Sequence, residues 1–284
     1  MKRPWIAVSF PLLLLTACKA SVPAESAATA PAATPSATTA PAEMPTTAAA
    51  ARIDAGFEKG MPYAELRRRV LAAGWLPLVD PSCRENIGGD GAICFSAPEL
   101  EACSGDGHCN MHFADAASGR EIAVHTYGPI ERWNAPGEEK SLAVTGWEVS
   151  AVPTQKPSVA CPSQDFDAFL KAFASNPDVN RAYRPSLIRV AALLSDDNGD
   201  HAETVYWRGA QYPEFNLAYA GGVFHFVDGD DKQDASALKL DVLGDTPDAR
   251  TVRYGYGMSE GNAFTFRNLG DCWYLVEDPQ APTP

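Results

Sequence analysis

Seven cysteines give this 284-residue sequence an address and a framework. Six of them, Cys83, Cys94, Cys103, Cys109, Cys161 and Cys272, lie in the part of the chain rich enough in large apolar residues to fold. The seventh, Cys18, follows a short basic start, Lys2 and Arg3, and an apolar run from Trp5 to Leu15 broken by Ser9 and Pro11. That run is too short to cross a bilayer as a mature helix, so it reads as an export signal. An even set of six cysteines in an exported chain points to three disulfides, although fifteen pairings are possible. Sequence proximity favours Cys83–Cys94 and Cys103–Cys109, whose partners could be exchanged. That leaves Cys161 with Cys272, a closure worth roughly 3–5 kcal/mol in the chain-entropy picture.

Leu15-Thr16-Ala17-Cys18 resembles the lipobox of bacterial lipoproteins. The resemblance implies cleavage after Ala17, removing a signal peptide over residues 1–17, and acylation at Cys18. Three acyl chains anchor durably where one would be reversible. Lys19, rather than an aspartate, follows the cysteine, and by the family's rule this implies an outer-membrane lipoprotein facing the periplasm. From residue 18 to 52 the chain is nearly all Ala, Pro, Thr and Ser, with little to bury against the entropy of ordering, and is expected to be a disordered tether. The net charge is −13, and it grows more negative when Lys2 and Arg3 leave with the signal. Such a polyanion argues against nucleic acid as a partner and suits a basic protein.

Two folded regions are expected, an N-terminal cysteine-rich domain over 53–152 and a C-terminal domain over 153–284, with Val152 to Pro162 as the boundary. In GMPYAELRRRVLAAGW, Tyr63, Leu66, Val70 and Leu71 recur at helical spacing, Pro62 suits the first turn and Gly74 the end. Arg67, Arg68 and Arg69 read as the solvated side of that helix. A second amphipathic helix carries Phe166, Phe169, Leu170 and Phe173 on one stripe, with Ser163 as N-cap and Asp165 and Asp167 near its positive end. Strand-like runs cover Met111–Ala114, Glu121–Tyr127 and Leu142–Val152 in the first region. In the second they cover Leu187–Leu193, Thr204–Trp207, Phe215–Tyr219, Gly222–Val227, Thr251–Tyr256, Ala263–Phe266 and Cys272–Val276, as an antiparallel meander. The expected class is α+β, each domain a helix on an antiparallel sheet.

Gly257-Met258-Ser259-Glu260-Gly261 spells G-x-S-x-G, the nucleophile-elbow pattern. An elbow needs a strand before the serine and a helix after it. Here both flanks alternate like strands, so Ser259 is expected in a hairpin turn. Cys103, His108, Cys109 and His112 carry zinc-binding chemistry, but C-x5-C is not a zinc knuckle, and in an oxidising compartment the disulfide is expected instead. In the acidic turns 196–200 and 228–234, an EF-hand loop starting at Asp196 would put His201 and Trp207 where Gly and Glu belong. One starting at Asp228 puts Gln233 and Lys239 there. A calcium loop of another kind at these turns stays open. Neither a Gly-rich phosphate loop nor an H-E-x-x-H motif occurs, so no cofactor is expected.

FDAFLKAFASNPDVNRAY, with the closing strand CWYLVEDP, resembles a group of Gram-negative lipoproteins whose C-terminal half has the NTF2-like (cystatin-like) fold. The segment RAYRPSLIRV departs from that pattern. The fold hosts enzymes and binding domains alike, so it implies no activity by itself. GMPYAELRRRVLAAGW also looks like the opening of small envelope modules used in protein binding. The expectation is therefore a non-enzymatic binding module anchored at the envelope, one version being an inhibitor or immunity protein against an envelope-targeting enzyme. The alternative is a hydrolase or isomerase drawing on His201, His225, Asp228 and Ser259 in the C-terminal domain.

Overall fold

The four residues Leu76–Val79 tie the two halves of the molecule together. In the computed structural model, which describes residues 52–88, 91–196, 199–213, 215–256 and 260–279, they form a strand shared by both halves. The N-terminal half runs α1 (Tyr63–Ala72), β1 (Leu76–Val79), α2 (Cys83–Asn86), α3 (Ile93–Ser96), β2 (Leu100–Cys103), β3 (His108–Asp115), β4 (Arg120–Tyr127) and β5 (Ala143–Ala151). The C-terminal half runs α4 (Phe166–Ser175), α5 (Pro177–Ala182), β6 (Leu187–Asp196), β7 (Gly199–Arg208), β8 (Leu217–Ala220), β9 (Val223–Phe226), β10 (Asp241–Thr246), β11 (Ala249–Tyr256), β12 (Glu260–Asn268) and β13 (Trp273–Asp278). The start of β1 pairs antiparallel with β3, at Leu76↔Ala114 and Pro77↔Phe113. Its end pairs parallel with β7, at Leu78↔Tyr206 and Val79↔Trp207. Pro77, which has no amide hydrogen to offer a ladder, sits where the pairing changes from one half to the other.

The result is one 11-stranded mixed sheet, in the order β10-β11-β12-β13-β6-β7-β1-β3-β4-β5 with β2 beside β3; β8 and β9 form a separate hairpin. This overturns the expectation of two small α+β domains, the C-terminal one NTF2-like. Strand dominates, the five helices among the described residues are short, and the sheet runs unbroken through the expected boundary. Nor is the second half a simple meander, because β13 returns to lie parallel to β6.

Each half nevertheless has its own core. In the first, Tyr63, Leu66 and Val70 of α1 pack with Met111, Phe113, Ile122, Val124 and Leu142. Gly74, at φ +85°, turns the chain just past the helix end, a conformation that costs other residues more. In the second, the aromatic stripe of α4 meets the sheet edge to face, with Phe166 4.9 Å from Trp273 and Phe173 5.3 Å from Phe266 between ring centroids. The cap of α4 is Asp165 rather than Ser163: its Oδ1 accepts from the Ala168 amide at 2.9 Å, while Ser163 Oγ accepts from the Asp165 amide. Asp165 stands directly before the first helical residue, two positions beyond Ser163, and its charge also meets the positive helix end.

Disulfide geometry joins Cys83 to Cys94, Cys103 to Cys109 and Cys161 to Cys272, with Cα separations of 6.1, 4.1 and 5.7 Å. The last ties the approach to α4 to the start of β13 across 111 residues.

Candidate functional site

Directly after β1 the chain turns away from the sheet and builds a lip. Asp80 Oδ1 accepts the Ser82 amide at 2.7 Å, starting the short α2. The Cys83–Cys94 bond then clips α2 to α3. The Arg84 guanidinium lies 4.5 Å above the Phe95 ring, and Phe95 keeps 40% of its surface exposed. Between this lip and the sheet runs a cleft of about 260 Å³. Its lip side is Asp80, Pro81, Cys83, Arg84, Cys94, Phe95 and Pro98; its sheet side is Val79, Trp207 and Val190 to Leu194. A larger hollow of about 620 Å³, between the Cys103–Cys109 turn and the Tyr127–Ile130 loop, is more open.

Beneath the lip lies a buried ionic cluster. Glu99, next to the cleft residue Pro98, has no exposed surface. It accepts from the Tyr63 hydroxyl and from Arg67 Nε, the latter at 2.6 Å. Arg67 Nη2 reaches on to Glu203 of β7 at 2.9 Å, and the guanidinium also lies 5.1 Å from the Trp133 ring centroid. One cation thus holds a carboxylate from each half. Burial works against the Arg67 charge, but Glu99, and then Glu203, outweigh it and hold its pKa above the ordinary value. Burial first, and the Glu99 charge second, push the Tyr63 phenol well above its usual range, so it stays a donor. A second crossing pair joins Arg208 of β7 to Glu121 of β4 at 2.9 Å.

Arg67 corrects the sequence reading. It is only 13% exposed and belongs to the core side of α1, whereas Arg68 is exposed and Arg69 pairs with Glu65. The signal was present: Arg67 is four residues from Tyr63 and one from Leu66, inside the stripe that periodicity defines.

His201, His225 and Asp228, considered for catalysis, each hydrogen-bond to backbone close by in the chain. His225 Nδ1 lies 3.0 and 3.1 Å from the backbone carbonyls of Asp234 and Ser236, so it carries the proton and pins that loop. Asp228 Oδ1 accepts the Asp230 and Lys232 amides, which closes the acidic turn. Asp234 is held by the Ser236 amide and the Tyr256 hydroxyl, and these lower its pKa. His201 lies near the hairpin end, its Nδ1 3.4 Å from the Gly199 carbonyl, and His125 Nδ1 meets Asn110 Oδ1 at 2.8 Å. Ser259 lies outside the described residues, as do Cys18, the signal and tether segments through Ala51, and positions 197–198 of the first acidic turn.

Of the zinc set, Cys103 and Cys109 are joined to each other, His108 packs on Tyr127 at 4.9 Å, and His112 Nε2 meets Glu101 at 2.9 Å. Among the described residues no group of three or more His, Cys, Asp or Glu side chains is arranged to hold a metal ion. No helix among them is long and apolar enough to cross a membrane.

No protein-family model matches this chain, and no curated protein matches it.

Proposed function

We propose that this chain is an envelope-anchored lipoprotein, held by acylated Cys18, that works as a non-enzymatic binding module through the cleft between the Cys83–Cys94 lip and β6. The observation that carries this reading is the cleft itself. It is an apolar slot with one exposed aromatic residue, braced by a disulfide and by the Arg67 cluster beneath, and so preformed rather than dependent on ordering at the moment of binding. Its described polar side chains are committed elsewhere, Asp80 to the α2 turn and Arg84 to the Phe95 ring.

The net charge of −13 favours a cationic protein partner, for which the acidic field would speed encounter at low salt. An inhibitor or immunity protein facing a basic envelope-targeting enzyme is one form of this.

The test places a photo-crosslinking benzoylphenylalanine at position 95 in living cells, with the same group at the exposed Leu269 as control. A discrete protein adduct from position 95, absent from position 269, is the expected result. Equal or absent adducts at both positions would contradict the reading. Lipidation is tested separately: Cys18→Ser, or globomycin on the parent, should leave unprocessed precursor.

A further inference from the structure

The lip built by α2 and α3 contributes to two hollows. Cys83, Arg84, Cys94 and Phe95 line the cleft, whereas Ile87 and Ile93 line the larger hollow of about 620 Å³. In that second hollow the chemistry is divided. Its apolar lining belongs to the first core: Ile130 is buried there, and Ile87 and Ile93 pack against the same cluster. Its charged lining residues, Asp106 and Glu131, are both acidic and both exposed, and no lysine or arginine lines it.

Neither carboxylate is paired with a lysine or arginine among the described residues. Asp106 accepts from the Ser104 hydroxyl, with His108 Nε2 4.0 Å away. The Ser104 bond holds its carboxyl below the ordinary range, so it is ionised near neutrality. Glu131 is left without a cation because its neighbour Arg132 pairs with Glu138.

The walls are fixed before any ligand arrives. The Cys103–Cys109 bond closes one side, and the Gly128 amide donates to the Gly107 carbonyl at 3.0 Å. At Gly128, with φ +134°, a Cβ would lie 2.0 Å from the Ser141 carbonyl oxygen, so only glycine lets the loop pass this close to residue 141. A preformed hollow loses little ordering entropy when it is filled. Apolar lining with acidic exposed residues suits a long cation, whose methylenes lie against apolar surface while its head meets carboxylates.

We propose that this hollow takes an arginine or lysine side chain of the partner protein, its stem against Ile87, Ile93 and Ile130 and its head group at Asp106 and Glu131. The net charge of −13 supplies a field of the same sign at longer range. The proposal rests on the binding-module reading. It adds a second contact on the same disulfide-clipped lip, and the chemistry of the partner residue that fills it.

The probe is the capped tripeptide Gly-Arg-Gly, with citrulline in place of arginine as the uncharged isostere. Each peptide is titrated into the detergent-solubilised full chain, disulfides intact, and read by NMR of the isoleucine methyl groups. The arginine peptide should shift Ile87, Ile93 and Ile130 and leave Ile188, in the other core, unmoved. At low salt it should bind about fivefold more tightly than the citrulline peptide, and the ratio should fall towards one as salt rises. The double change Asp106→Asn and Glu131→Gln, at exposed positions, should remove that ratio and leave the spectrum of the free chain unaltered. In cells the same double change should lower the position-95 adduct about fivefold.

Equal binding of the two peptides, a ratio that survives the double change, or shifts confined to residues outside the hollow would overturn the proposal. So would a position-95 adduct that the double change leaves untouched. The two readings separate cleanly. An adduct without arginine selectivity leaves the binding module standing and removes this site. Arginine selectivity without any adduct removes the partner protein, and the hollow would then be a site for a free guanidinium compound.

Discussion

The two long helices, α1 and α4, do the same architectural work with opposite chemistry. Each lays one stripe on its half of the sheet. The stripe of α4 is wholly apolar, and it seals an aromatic core in which Phe169, Phe173, Phe264 and Phe266 are almost fully buried. The stripe of α1 carries Tyr63, Leu66 and Val70, but between them it admits a guanidinium that bonds to Glu99 below and to Glu203 in the other half. A purely hydrophobic stripe stabilises its own half. A charged residue within the stripe gives up some local stability, because burying ions costs desolvation, and in return fixes the position of its neighbour. The cleft lies where that fixing is needed, since its lip belongs to the first half and its floor largely to the second.

This contrast can be broken from either side. Phe173→Ala should cost about 4 kcal/mol in denaturant unfolding, by opening a cavity among edge-to-face rings. Arg67→Met should cost about 3 kcal/mol, because Glu99 is left buried without its counter-ion. The two losses should differ in kind. The phenylalanine change weakens the C-terminal core and leaves the junction alone, whereas the arginine change loosens the junction and exposes the cleft lip to proteolysis.

Tyr63→Phe should cost about 1–2 kcal/mol near neutrality, through a lost hydrogen bond to a buried carboxylate. It should also flatten the alkaline limb. The Tyr63 pKa is raised in the fold, so its contribution is intact below the ordinary phenol value of about 10 and declines as pH rises above it, where the unfolded chain releases a proton that the folded chain keeps. Tyr274, pushed up to about 12 chiefly by burial, adds a similar slope in the other half, so the limb should be reduced and not removed. The smallest effect is at the α4 cap: Asp165→Ala should cost about 1 kcal/mol.

The same pair of helices shows what could be read from the sequence. The stripe of α4 was plain because four apolar residues at helical spacing state a face without reference to anything distant. The stripe of α1 was equally local, yet a triplet of arginines masked the one that lies inside it. β1 was missed because Leu-Pro-Leu-Val is short and carries a proline, features that argue against a central strand. Only the geometry of two separate half-sheets gives it a role. The parallel return of β13 beside β6 was hidden for a different reason: alternation tells which residues face the core, but not which strand lies alongside. β10 was missed because its side chains lie on an exposed outer strand, where no buried face imposes a pattern. The cleft could not be read at all, since it joins residues 79–98 to residues 190–207.

The central claim is that two cores share one sheet and that Arg67 couples them. Native-state hydrogen exchange at low denaturant tests it most directly, by comparing the β3–β4 amides with those of β11–β12 in the disulfide-intact chain. The account expects both sets to share one opening free energy in the parent, and the β3–β4 set to open at lower free energy in Arg67→Met. Separate opening free energies already in the parent, unchanged by the substitution, would contradict it and restore two independent domains.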